Sequence, residues 1–133
     1  MLRPHGRVAV FWNRSVLPPD IKAAFEAVYQ RLEPDQRESI LIGNVGDARF
    51  SATADAFRRN GSFGDPQIRT YTWSRPFTRE QWLDLLPTHS DHRTLPPERL
   101  DALTGAIGAA IAEVGGTFDV TYETVVVTAR RVP

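Results

Sequence analysis

Two runs of strand-forming residues constrain this chain more than anything else in it. Arg7-Val8-Ala9-Val10-Phe11-Trp12 is almost continuously apolar, and Val125-Val126-Val127 is apolar on both faces. A strand with that pattern suits the interior of a sheet, covered on both faces and paired along both edges. Only one further segment reads plainly as a strand. From Gln67 to Trp73, Ile68, Thr70, Tyr71, Thr72 and Trp73 favour extended backbone, with Arg69, Tyr71 and Trp73 projecting from one face as an aromatic, cationic surface. Too few strands are at hand to flank and cover two interior ones, and an exposed edge invites pairing. The sequence therefore predicts an incomplete α/β unit that pairs with itself, as a homo-oligomer, or with another chain.

Local signals fill in the rest. Pro19 suits the first turn of a helix running to Leu32, with Ile21, Phe25, Val28, Tyr29 and Leu32 on one stripe. Glu33 to Gly46 is polar and broken around Ile40-Leu41-Ile42, and a short helix from about Phe50 to Arg59 is closed by Asn60-Gly61. Thr78-Arg79-Glu80-Gln81 is a capping box, with Phe77 and Trp82 placed as a hydrophobic staple for a helix that ends near Leu86, before Pro87. Thr88 to Leu95 reads as a polar loop. Pro96-Pro97-Glu98 opens a longer helix carrying Leu100, Leu103, Ile107, Ile111 and Val114, in which Gly105 and Gly108 permit close packing and which Gly115-Gly116 ends. The last strand runs from Thr117 to about Arg130. It alternates at first, with Phe118, Val120 and Tyr122 against Asp119, Thr121 and Glu123, and becomes interior at Val125. The order is strand, helix, irregular region, strand, two helices, strand.

Composition removes several classes of function. At 133 residues the chain has the length of a single domain, 1–133. Sixteen basic and sixteen acidic side chains give a formal charge of zero, which argues against a duplex-binding footprint and leaves nucleic acid outside the expected partners. No apolar run approaches the roughly 18 residues that cross a bilayer, and Leu2 to Gly6 lacks a signal-peptide core, so a cytoplasmic chain without membrane contact is expected. The absence of cysteine excludes disulfides, thiolate metal sites and a cysteine nucleophile.

Candidate chemistry concentrates in His89-Ser90-Asp91-His92. These are the residue types of a hydrolytic triad, though no G-x-S-x-G elbow accompanies them, and a hydrolase centred on Ser90 and His92 is one rival reading. A zinc site needs about three protein ligands, and His5 is the one other histidine, so no metal site is assigned. The plain alternative is that Ser90 or Asp91 caps a turn while the imidazoles hydrogen-bond locally at a pocket rim or surface. Trp12, Tyr71, Trp73 and Trp82 suit either core packing or an apolar cavity with a few polar tips. Gly43-Asn44-Val45-Gly46 and Gly61-Ser62-Phe63-Gly64 are turns, lacking the strand and lysine of a phosphate loop.

The order of these segments carries a resemblance. Leu2-Arg3-Pro4-His5-Gly6-Arg7-Val8-Ala9-Val10-Phe11-Trp12-Asn13 resembles the turn and fifth strand of class I S-adenosylmethionine-dependent methyltransferases. Trp73, Trp82 to Leu86, Thr88-His89-Ser90-Asp91-His92, the helix after Pro96, Gly115-Gly116 and Tyr122 to Arg130 resemble the C-terminal half of a small-molecule branch of that family. Two positions depart from it: His5 stands for the first glycine of the family's proline-glycine-glycine turn, and His89 stands where an aromatic residue is common.

The resemblance implies a partial Rossmann-like methyltransferase fold. This chain would supply the fifth, sixth and seventh strands with their covering helices, the seventh inserted antiparallel to its neighbours, and would lack the first four. The family holds S-adenosylmethionine through a glycine-rich turn after its first strand and an acidic residue ending its second. Neither is present here, so no cofactor-binding residue is assigned. Trp12, Asn13, Tyr71, Trp73, His89 and Ser90 become candidates for a pocket near the methyl acceptor, and His92 the candidate base, because methyl transfer gains from positioning and from removal of the acceptor proton. The resulting expectation is a methyltransferase-like protein or truncated enzyme acting on a small molecule. It would not be self-sufficient in catalysis, and its partner would be a second copy or a complementing N-terminal half. The rival expectation is a non-catalytic small-ligand-binding or protein-interaction module.

Overall fold

A computed structural model describes residues 2–36 and 47–133 of the chain, with Asp47 described by its backbone alone. Among the described residues the sheet has three strands, β1 (Arg7–Val16), β2 (Gln67–Thr78) and β3 (Thr117–Arg130), in the order β1-β3-β2. The last strand thus lies in the middle, antiparallel to both neighbours. Backbone bonds from His5 to the Arg131 carbonyl (3.1 Å) and from Arg131 to the Gly6 carbonyl (2.8 Å) fix its register against the β1 side. An antiparallel bridge between Phe63 and Arg131 does so on the β2 side. The helices are α1 (Pro19–Leu32), α2 (Asp47–Asn60), α3 (Arg79–Leu85), the single turn α4 (Ser90–Arg93) and α5 (Pro97–Glu113).

The chain divides into two compact units. The first holds the described residues up to Ser15, then 47–73 and 122–133; the second holds 16–36 and 74–121. In the first, Val125 and Val127 are buried against Phe50 and Ala54 of α2, with Trp12 and Phe57 packed around them. Here the structure corrects one expectation: among the described residues β1 pairs with β3 alone, and its residues alternate between half-buried and exposed. Val8, Val10 and Trp12 are half-buried, while Ala9, Phe11 and Asn13 face solvent, Phe11 being 67% exposed. Strand period 2 sorts even a continuous apolar run into two faces, and only one of them is covered. The interior strand is β3, as Val125-Val126-Val127 predicts.

In the second unit, Phe25, Phe77, Trp82 and Phe118 form an aromatic cluster. Centroid separations run from 5.2 Å for Phe77–Trp82 and Trp82–Phe118 to 6.2 Å for Phe77–Phe118. Such pairs contribute about 0.5–1.5 kcal/mol each beyond their buried area. The expected capping box is present: Thr78 Oγ1 accepts from the Gln81 amide at 3.2 Å, and Gln81 Oε1 accepts from the Thr78 amide at 3.0 Å. Gly115 (φ 113) and Gly116 (φ 80) end α5 in the left-handed region where glycine alone is unstrained. The two glycines inside α5 differ. A Cβ on Gly108 would meet Arg79 Nη2 at 2.7 Å, whereas one on Gly105 would meet nothing within 4 Å, so only Gly108 serves close packing.

Candidate functional site

Thr124, at the centre of the sheet, joins two of the sequence-derived candidates. Its hydroxyl accepts from Trp73 Nε1 at 3.0 Å and donates to Asn13 Oδ1 at 2.6 Å, so one side chain from each strand forms a row across β1, β3 and β2. Trp73 also stacks on Tyr122, with centroids 4.4 Å apart and planes 18° from parallel. Alternation along β2 places Tyr71, 54% exposed, on the face that carries Trp73. Asn13, Tyr71 and Trp73 therefore share one open face. Trp12 does not: it packs on Phe50 at 5.5 Å on the covered face and belongs to the core. Sequence reasoning missed Thr124 and Tyr122. The available signal was their place on the alternating part of the last strand, opposite the face of Val125 and Val127.

The histidine segment lies in the second unit and is not a loop. Ser90 to Arg93 forms α4, which turns His92 inward until none of it is exposed. His92 Nε2 is 3.0 Å from the Tyr29 hydroxyl, and its Nδ1 is buried without a partner. Burial pushes the Tyr29 hydroxyl far above its usual range, aided by the charge of Asp91, so it stays protonated and donates. The His92 imidazole is held below its ordinary value, chiefly by burial and then by His89, against opposing pulls from Asp91 and Glu33. It is therefore neutral near pH 7 and accepts at Nε2. His89 stays exposed, its ring 5.9 Å from that of His92. Ser90 Oγ donates to Asp91 Oδ1 at 3.3 Å.

These contacts dismantle the hydrolase reading, because Ser90 pairs with Asp91 while His92 pairs with Tyr29. A serine nucleophile would need its hydroxyl on the histidine. Glu33, also buried, is held by a two-pronged ion pair from Arg99, with Arg99 Nε donating to Oε1 at 2.7 Å. Among the described residues no group of three or more histidines or carboxylates could hold a metal ion, and no helix is long and apolar enough to cross a membrane. Gly43-Asn44-Val45-Gly46 lies outside the described residues.

Among the described residues, the junctions where strands lead into helices do not fit a nucleotide-type cofactor. β1 passes to α1 through Leu17-Pro18, and β2 runs directly into α3 at Arg79, with no glycine at either. Such a cofactor needs close backbone approach at a glycine-rich turn. No family model matches this chain, and no curated protein matches it.

Proposed function

We propose that the chain is a methyltransferase-like unit, similar to the C-terminal, substrate-side half of the class I fold, from an enzyme acting on a small molecule. The strand order carries the reading: the closing strand sits antiparallel between the first and the second, the arrangement the resemblance implies for the seventh, fifth and sixth strands. His5 adds a second support. Its φ of 63° lies in the left-handed region that glycine occupies freely, and His5 stands where the family's turn has its glycine.

The work assigned to this chain is to hold the acceptor. Asn13 and Trp73, braced through Thr124, offer an amide and an aromatic wall, and Tyr71 extends the same face. S-adenosylmethionine would be held by a partner that carries the glycine-rich turn, since the junctions among the described residues do not fit it. His89 and Ser90, both exposed, remain candidates for acceptor contacts. A second reading, a non-catalytic ligand-binding or interaction module, is favoured by one observation: His92, the candidate base, is fully buried and engaged by Tyr29. A base must reach the proton it removes.

Calorimetric titration with S-adenosylhomocysteine separates the two readings, using this chain alone and this chain joined to the four-stranded, cofactor-binding half of a class I enzyme. Silence from the isolated chain and saturable binding by the joined protein is the expected pair. Binding by the isolated chain would refute its incompleteness. A joined protein that neither folds nor binds would leave the interaction module.

A further inference from the structure

The face that carries Tyr71 and Trp73 also holds a shallow cleft of about 160 Å³, lined by Arg7, Gln67, Arg69, Tyr71, Val126 and Thr128. Arg7 reaches it from β1 and Arg69 from β2, on either side of β3. Among the described residues neither guanidinium has a hydrogen-bond or ion-pair partner, and no carboxylate lines the cleft. The nearest acid in sequence, Asp65, lines an adjoining depression that Arg7, Gln67 and Thr128 also line, without pairing with Arg7. Its side chain is 98% exposed and its ion-pair contact is Arg58, at 4.0 Å. What remains is two free cations, an amide, a hydroxyl, one aromatic wall at Tyr71 and an apolar patch at Val126.

We infer that this cleft is a binding site for a small aromatic carboxylate. A carboxylate matches the planar fork of a guanidinium with two parallel hydrogen bonds, and two forks with no internal acid leave that demand unmet. The Gln67 amide and Thr128 hydroxyl supply further donors, while Tyr71 and Val126 receive a ring. The size agrees, since a cavity of about 150 Å³ holds a benzene-sized molecule. The same charges argue against a second copy seated here face to face, because an isologous contact would set Arg7 and Arg69 of each chain against those of the other. This inference stands apart from the methyltransferase reading, as it uses none of the residues that reading needs except Tyr71.

The test is titration of the ¹⁵N-labelled chain with benzoate, with benzyl alcohol as the neutral analogue and the Arg7→Gln/Arg69→Gln double variant beside the wild type. Both arginines are exposed, so the variant keeps the fold, which its circular dichroism checks. The expected result is saturable movement of the Arg69, Tyr71, Val126 and Thr128 amides, with a dissociation constant of roughly 1 mM, as befits an open cleft. The double variant should bind at least about tenfold more weakly, and benzyl alcohol should behave like the variant. A response that fails to saturate by about 10 mM, or that is equal for benzoate and benzyl alcohol, overturns the site. So does one that the double variant retains. Saturation by phenyl phosphate but not benzoate would overturn the carboxylate assignment in favour of a phosphate.

Discussion

Acidification tests whether His92 is buried as a neutral acceptor. In the unfolded chain an imidazole titrates near 6.5; in the folded chain burial and His89 hold His92 lower. Between those two values the unfolded chain binds a proton that the folded chain refuses. This contribution to stability is intact above about pH 6.5, shrinks as the pH falls below it, and levels off once the folded value is passed. For a single proton the slope within that window has a ceiling of about 1.4 kcal/mol per pH unit. For a chain of this length, each kcal/mol moves Tm by about 4 °C. His92→Gln removes the titration and can present an amide oxygen to Tyr29 in place of Nε2. Thermal unfolding followed by circular dichroism, from about pH 7.5 to about pH 5 at constant ionic strength, should show the wild type losing more of its Tm than the variant as the pH falls below about 6.5. Comparison with the variant isolates the contribution of His92. Parallel curves, or a wild type that gains on the variant as the pH falls, would refute the neutral buried imidazole.

Other substitutions probe the local devices. Gly105→Ala should raise stability by about 0.5–1 kcal/mol through helix propensity. Gly108→Ala should gain nothing or lose, because its Cβ displaces Arg79, whose Nε donates to the Gly108 carbonyl at 3.0 Å; urea unfolding of both variants shows the contrast. His5→Gly relieves a left-handed residue and should stabilise by up to about 1 kcal/mol, read as a higher urea midpoint at unchanged slope. Thr78→Ala removes one half of the capping box and should cost about 1 kcal/mol, while Thr78→Ser should recover most of it.

Those devices were legible because their partners lie within a few residues. Thr78 with Gln81, Phe77 with Trp82, and Gly115-Gly116 after α5 need only the next turn of chain, so spacing reveals them. The valines of β3 were legible for a different reason: an apolar pattern on both faces has no comfortable place except the middle of a sheet. What stayed hidden depends on distant pairs. Nothing near His92 announces Tyr29, which lies 63 residues earlier, and a polar-looking loop became a helical turn with a buried histidine. The Asn13–Thr124–Trp73 row joins three strands, and a hydroxyl among alternating residues looks the same whether it bridges neighbours or meets water. One face of β1 was misread as covered because its alanine and phenylalanine resemble buried residues in composition.

The strand order also sets a timetable. Among the described residues β1 and β2 both pair with β3, which the ribosome makes after both. Until residue 117 emerges, more than a hundred residues of nascent chain hold two strands that lack the ladder β3 gives them, and the helices must form beside that backbone. Closing the sheet then joins segments as far apart as Asn13 and Thr124 in one late event, which favours slow folding and a need for shelter during synthesis. A chain that stalled before β3 would lack the strand that joins β1 to β2.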